Sequence, residues 1–212
     1  MRIDKRTTLW ATAVHEAGHA VFAVFLDIPN LRRVTTIPGE GYRGRVDLPL
    51  QFQFFCSELE RRLAAKKAAL MLMAGAIAQE SAKGGRGAYP SDADLSLLTD
   101  MAGALGYEVP ELTDALSNIR FWYQHPFCSV TRKRVYGLMN AGLQNVVMAF
   151  AETLYREREI EGHRAMDIIK ELLGRDSGWE QKRWQRESAR YRSGSVINLA
   201  GEALEVVEGE LP

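Results

Sequence analysis

The sequence predicts a mainly α protein of the α+β class, with a small β hairpin beside the helix that carries its most distinctive motif. Three observations point there. Apolar residues recur at helical spacing over long stretches, clearest in Val14, Ala17, Val21, Val24 and Phe25 and in Leu59, Leu63, Leu70, Met73 and Ile77. Residues 31 to 37 turn β-branched, and a strong turn signal, Pro38-Gly39-Glu40-Gly41, separates them from a second extended stretch at 42 to 48. A chain of 212 residues, 46% of them hydrophobic, is long enough for one substantial core and an appendage.

The first helix is expected to be capped by Thr7 or Thr8 and to run to about Leu26, where Asp27-Ile28-Pro29 stops it with one face buried. Extended segments follow at 31 to 37 and, from Tyr42 to Leu48, before Pro49. Gly44 in the second of these suggests close approach by another backbone. Residues 58 to 82 read as a long helix whose charged side chains, Glu58, Arg61, Arg62, Lys66 and Lys67, form a solvated face. Gly84-Gly85-Arg86-Gly87 ends it and lacks the lysine and hydroxyl of a phosphate-binding loop. Ser91-Asp92-Ala93-Asp94 then opens a helix with Leu95, Leu98, Ala102 and Leu105 inward. Further helices are expected at 111 to 124, 131 to 159 and 163 to 173, with breaks near Pro126 and Gly162 and an end near Gly174. The resulting division is a domain over 1 to 174 and a charged tail over 175 to 212, basic in its first half and with glutamates as the only charged residues in its second.

Lys plus Arg and Asp plus Glu both number 27, so there is no global electrostatic case for nucleic acid or an anionic membrane as partner. Cys56 and Cys128 lie in apolar or aromatic settings without Cys-x-x-Cys spacing, and read as buried free thiols in a reducing compartment. No apolar signal region precedes the first helix, and the longest apolar run, Ala68 to Ala78, is too short to span a bilayer. A soluble, cytoplasmic protein is expected, with oligomerisation left open.

His15-Glu16-Ala17-Gly18-His19 is a His-Glu-x-x-His motif within the first helix. Two histidines four residues apart stand about 40° apart around a helix, so both imidazoles reach one metal ion from one face. Zinc is the ion that this geometry most often serves, and one ion per chain is expected. Glu16 projects about 100° further round, beside the ion, where a general base must stand. Zinc with an open position brings bound water to a pKa of about 7, and a neighbouring carboxylate takes its proton as it attacks an amide carbonyl. The small residues Ala17, Gly18 and Ala20 keep the histidines uncrowded, and Gly18, which costs about 1 kcal/mol in a helix interior, implies close packing or access.

A catalytic site needs a third protein ligand. The extended motif with a third histidine is absent, since Phe22 and Phe25 occupy its glycine and histidine positions. His125, at a helix end, and His163, after Gly162, read as structural or surface residues. Glu58, Glu80 and the aspartates of the Ser91 to Asp94 turn remain as candidates, although Ser91-x-x-Asp94 also has the spacing of a capping box.

Several segments, in order, resemble the peptidase domain of the FtsH-type ATP-dependent membrane metalloproteases. His15-Glu16-Ala17-Gly18-His19-Ala20 is similar to that family's zinc motif, and Val34-Thr35-Thr36-Ile37-Pro38-Gly39 with Gly44 to its sheet region. Met73 to Glu80 resembles its alanine- and glycine-rich helix, Ser91-Asp92-Ala93-Asp94-Leu95 its third-ligand segment, and Glu152-Thr153-Leu154 with Glu161-Gly162 its terminal helices. The resemblance covers roughly residues 10 to 173 and implies a helical, zincin-like zinc peptidase. By it, His15, His19 and Asp94 hold the zinc and Glu16 is the base. The family's membrane helices and ATPase module find no room here, so an ATP-independent metallopeptidase acting on peptides or unfolded protein is expected. Tyr42, Gly44 and Val46 are its candidate substrate-binding residues, through β-augmentation along the second extended segment. The rival expectation is a non-catalytic, zinc-stabilised interaction module of the same fold.

Overall fold

From Thr12 to Phe25, helix α1 (Lys5–Phe25) is buried on nearly every side in the computed structural model, which describes residues 5–49, 57–82, 90–111 and 114–175. The expectation of a single buried face is therefore corrected. Small and apolar residues from Ala13 to Phe25 let α1 pack at once against strands β1 (Arg33–Thr35) and β2 (Arg45–Asp47) and helix α2 (Glu58–Ala82). Gly18 carries the closest approach, since a Cβ there would stand 2.6 Å from the Ala74 carbonyl oxygen of α2. Because the helix begins at Lys5, Thr7 and Thr8 lie inside it rather than capping it.

Helix α2 has the predicted bounds, and its stretch from Ala68 to Ala78 lies in the core. Its first turn lies outside: Leu59 is 52% exposed, contrary to its place in the apolar pattern. Lys66 and Lys67 are half-buried, so the charged face is less solvated than expected. Helix α3 (Asp92–Ala104) starts from a capping box, Ser91 with Asp94, and buries Leu95, Leu98 and Ala102, with Leu105 just beyond its end. Helix α4 (Ala115–Gln124) begins later than predicted, capped by Asp114. Helix α5 (Pro126–Leu138) starts on its proline, whose missing N–H costs nothing in a first turn.

The continuous helix expected over 131 to 159 is two helices. A π-helical turn at Met139–Leu143 separates α5 from α6 (Gln144–Glu157), and Gly142 at φ 128 holds a conformation that side-chain-bearing residues rarely adopt. After α6 the chain turns at Arg158, φ 73, into strand β3 (Glu159–Glu161) and helix α7 (Gly162–Arg175).

The three strands form an antiparallel sheet in the order β2-β1-β3, with Val34 opposite both Val46 and Ile160. Both hairpin strands are shorter than predicted, and β3 was not foreseen. The Arg158 carbonyl locks the turn by accepting from the Thr36 N–H at 2.7 Å. The architecture is thus mainly helical with a small sheet, the predicted class. Its apolar side chains join in one core that includes Phe22, Trp122, Phe127 and Phe150, each burial contributing about 1.5–3 kcal/mol.

Among the described residues no helix is long and apolar enough to cross a membrane. Cys128 is a free, buried thiol, and burial pushes its pKa up to about 12 against the opposing charge of Arg132. Cys56, the Gly84 to Gly87 loop and the tail from 176 on fall outside the described residues.

Candidate metal centre

One turn of α1 brings the two motif imidazoles together, their Nε2 atoms 3.0 Å apart and their rings edge to face. His19 is fixed from behind: its Nδ1 lies 2.9 Å from the Met71 carbonyl oxygen of α2. A carbonyl only accepts, so this contact holds a proton on Nδ1 and makes Nε2 the ring nitrogen that faces His15 and Asp94.

The third side chain comes from α3. Asp94 Oδ2 lies 3.3 Å from His15 Nε2, and Oδ1 lies 3.6 Å from His19 Nε2. The same Oδ2 accepts from the Ser91 N–H at 3.2 Å and from the Ser91 hydroxyl at 2.8 Å, while the Asp94 N–H donates to Ser91 Oγ at 3.1 Å. Capping and facing the histidines are therefore both tasks of one residue. Oδ2 anchors the helix start and also faces His15, Oδ1 is directed at His19, and the positive end of α3 favours the charge.

Glu16 is buried beside this group. Gly44, just before β2, leaves it room, since a Cβ there would meet Thr12 Cγ2 at 2.5 Å and Glu16 Oε1 at 2.9 Å. The close approach expected at Gly44 is thus made by side chains of α1 and not by another backbone. Burial drives the Glu16 pKa up, and the Asp94 charge adds to this while His15 and His19 oppose it. Burial pushes the His19 imidazolium down, but the Asp94 charge and hydrogen bond outweigh it and lift the pKa to about 9. Burial likewise opposes ionisation of Asp94, yet the two histidines hold it well below the ordinary carboxylate range.

Two imidazole nitrogens and a carboxylate are a donor set that suits a divalent metal ion. Nitrogen and oxygen ligands at about 2.0–2.1 Å from a tetrahedral ion stand roughly 3.3 Å from one another. Here the two Nε2 atoms stand 3.0 Å apart, Asp94 turns Oδ2 to His15 at 3.3 Å and Oδ1 to His19 at 3.6 Å, and one ligand atom from each residue lies within 4.8 Å of the others. His15, His19 and Asp94 therefore form a group able to hold a metal ion. The other candidates lie elsewhere. Asp92 is exposed on α3, Glu58 pairs with Arg61, and Glu80 accepts from the Tyr136 hydroxyl at 2.6 Å. His125 contacts the Glu108 carbonyl oxygen at 2.8 Å among the rings of Tyr107, Phe121 and Phe127, and His163 is exposed.

The Tyr42 ring folds over Gly39 in the hairpin turn, Val46 packs against the core, and Gly44 lies against Glu16. The Met71 carbonyl is the participant that sequence reading missed. No side-chain pattern signals a backbone oxygen 52 positions from the histidine it meets. No protein-family model and no curated protein matches the chain.

The geometry separates the two aspartates. Asp94→Asn is expected to weaken zinc binding by more than about 100-fold, because even the outer partners of metal ligands are worth about 10- to 100-fold. Asp92→Asn should bind like wild type. Competition titration against a chromophoric chelator measures both, and loss of affinity in Asp92→Asn alone would remove Asp94 from the site.

Proposed function

We propose that the chain is a zinc metallopeptidase, similar to the FtsH-type peptidase domain, that hydrolyses peptide bonds in peptides or unfolded polypeptide. The observation that carries this reading is the burial of Glu16 beside three donor atoms that converge from helices far apart in the sequence. A site that only bound a metal would have no use for a fourth, buried carboxyl, whose desolvation is costly.

In this reading His15, His19 and Asp94 hold one zinc. Zinc held there supplies a Lewis acid that polarises the scissile carbonyl and acidifies water at the open position to a pKa of about 7. Glu16 accepts the proton of the attacking water on its carboxylate and passes it to the departing amine nitrogen. The missing side chain at Gly44 leaves room for the Glu16 carboxyl beside the donor group.

Strand β2 lies at the edge of the sheet, and Gly44 at its start touches Glu16. An extended peptide paired with the backbone of 44 to 46 would therefore run past the base, which favours substrates by conformation more than by sequence. A folded protein is held by about 5–15 kcal/mol against adopting that form, whereas a flexible chain is not. Hydrolysis of a flexible chain needs no work of unfolding, so ATP has no part in it. The test is digestion of a casein-like chain and a tightly folded protein by zinc-loaded enzyme. The flexible chain should be cut, ATP should change nothing, and a chelator should stop the reaction. Absence of cleavage across a broad panel of unfolded chains would favour the metal-dependent interaction module instead.

A further inference from the structure

We infer that α2 is the outer wall of the metal centre, with Gly75 and the Met71 carbonyl acting together as the positioning element that commits Nε2 of His19 to the metal. The inference rests on the zinc reading and deepens it.

Gly75 lies one helical turn after Met71, so in α2 its N–H bonds the Met71 carbonyl. That oxygen has two lone pairs, and His19 Nδ1 takes the second at 2.9 Å. In an α-helix the Cα–Cβ bond leans toward the N-terminus, so any side chain at 75 would lie over the carbonyl of 71. The distances agree. A Cβ on Gly75 would stand 2.4 Å from His19 Nε2, 2.6 Å from Cε1 and 2.9 Å from Cδ2. The missing side chain is the slot in which the imidazole lies flat against α2. His19 is itself buried and Gly18 brings α1 close to the Ala74 backbone, so the ring has no room to retreat.

Glycine is a poorer helix former than alanine, and α2 is otherwise rich in good formers, so its presence at 75 runs against local propensity. The slot supplies the reason. Without it His19 would turn about its side-chain bonds, lose the Met71 carbonyl and with it the tautomer that frees Nε2.

The test compares Gly75→Ala with wild type and with Gly137→Ala, an α5 position where an added Cβ meets nothing within 4 Å. Zinc affinity by chelator competition should fall about 10- to 100-fold in Gly75→Ala, the range for partners that orient a metal ligand. Gly137→Ala should bind as wild type does. Thermal unfolding of the zinc-free proteins separates this effect from loss of fold. A second measurement stands even if Gly75→Ala does not fold: the long-range proton–nitrogen spectrum of the imidazoles in zinc-loaded wild type, which should place the His19 proton on Nδ1. A proton on Nε2, or unaltered zinc affinity in a folded Gly75→Ala, overturns the inference while leaving the peptidase reading intact. Wild type that takes up no zinc overturns both.

Discussion

His19→Ala protein is expected to purify with almost no zinc, where wild type is expected to carry one ion per chain. His19 stands at the centre of the donor group: its Nε2 faces both His15 and Asp94, and its Nδ1 is held by α2. The substitution leaves two ligands, fewer than the three that catalytic zinc sites provide. Zinc binding worth about 10–16 kcal/mol divided over four ligands gives roughly 3 kcal/mol for one of them, or a loss of more than about 100-fold in affinity. Elemental analysis of the two proteins, purified side by side, reads this directly. Equal zinc content would mean that the cluster is not the metal site, and the whole catalytic reading would go with it. Circular dichroism of the variant guards against a trivial cause, because α1 is the helix around which the core is packed and its loss would be plain in the spectrum.

Where the determining contacts were local, the sequence was readable. Helix α2 came out with the observed bounds because an apolar repeat and flanking turn signals coincide there. The relation between His15, Glu16 and His19 is set by a single helical turn, so the spacing alone brings the imidazoles together. Contacts made at long range were less accessible. Strand β3 has only three residues, Glu-Ile-Glu, and exists because β1, more than a hundred positions earlier, offers it an edge. The break at Gly142 was hidden for another reason: apolar residues continue at helical spacing on both sides of it, and only a positive φ, invisible in the pattern, divides the helix.

At the candidate site the same division holds. Asp94 stands 79 positions from His15, and it was singled out by resemblance and not by any spacing rule. The capping-box signature and the ligand role looked like rival explanations of the Ser91 to Asp94 turn. They are compatible because a carboxylate has two oxygens with several lone pairs: Oδ2 accepts from Ser91 and also faces His15, while Oδ1 is turned to His19. Glu80, weighed as an alternative on the strength of its place near the end of α2, is instead a partner of Tyr136.

Glu16→Gln is expected to lower kcat by about 10²–10⁴-fold, the range that general base catalysis contributes, with zinc content unchanged. The amide has the size of the carboxyl it replaces, so it fills the same space between Thr12 and Gly44 and does not disturb His15 or His19. It cannot accept a proton from water or deliver one to the leaving amine. Stability should move the other way if it moves at all. Burial raises the Glu16 pKa, so the fold disfavours the ionised side chain, and a neutral amide removes that penalty. The zinc-free variant should therefore unfold at the temperature of zinc-free wild type or above it, which distinguishes a lost base from a damaged structure and fits the common trade of stability for function at active sites. The measurement is initial rate on a quenched peptide or unfolded substrate, with zinc assayed in the same samples. If zinc-loaded Glu16→Gln cut as fast as wild type, Glu16 would not be the base, and if neither cut any unfolded chain, the site would serve binding alone.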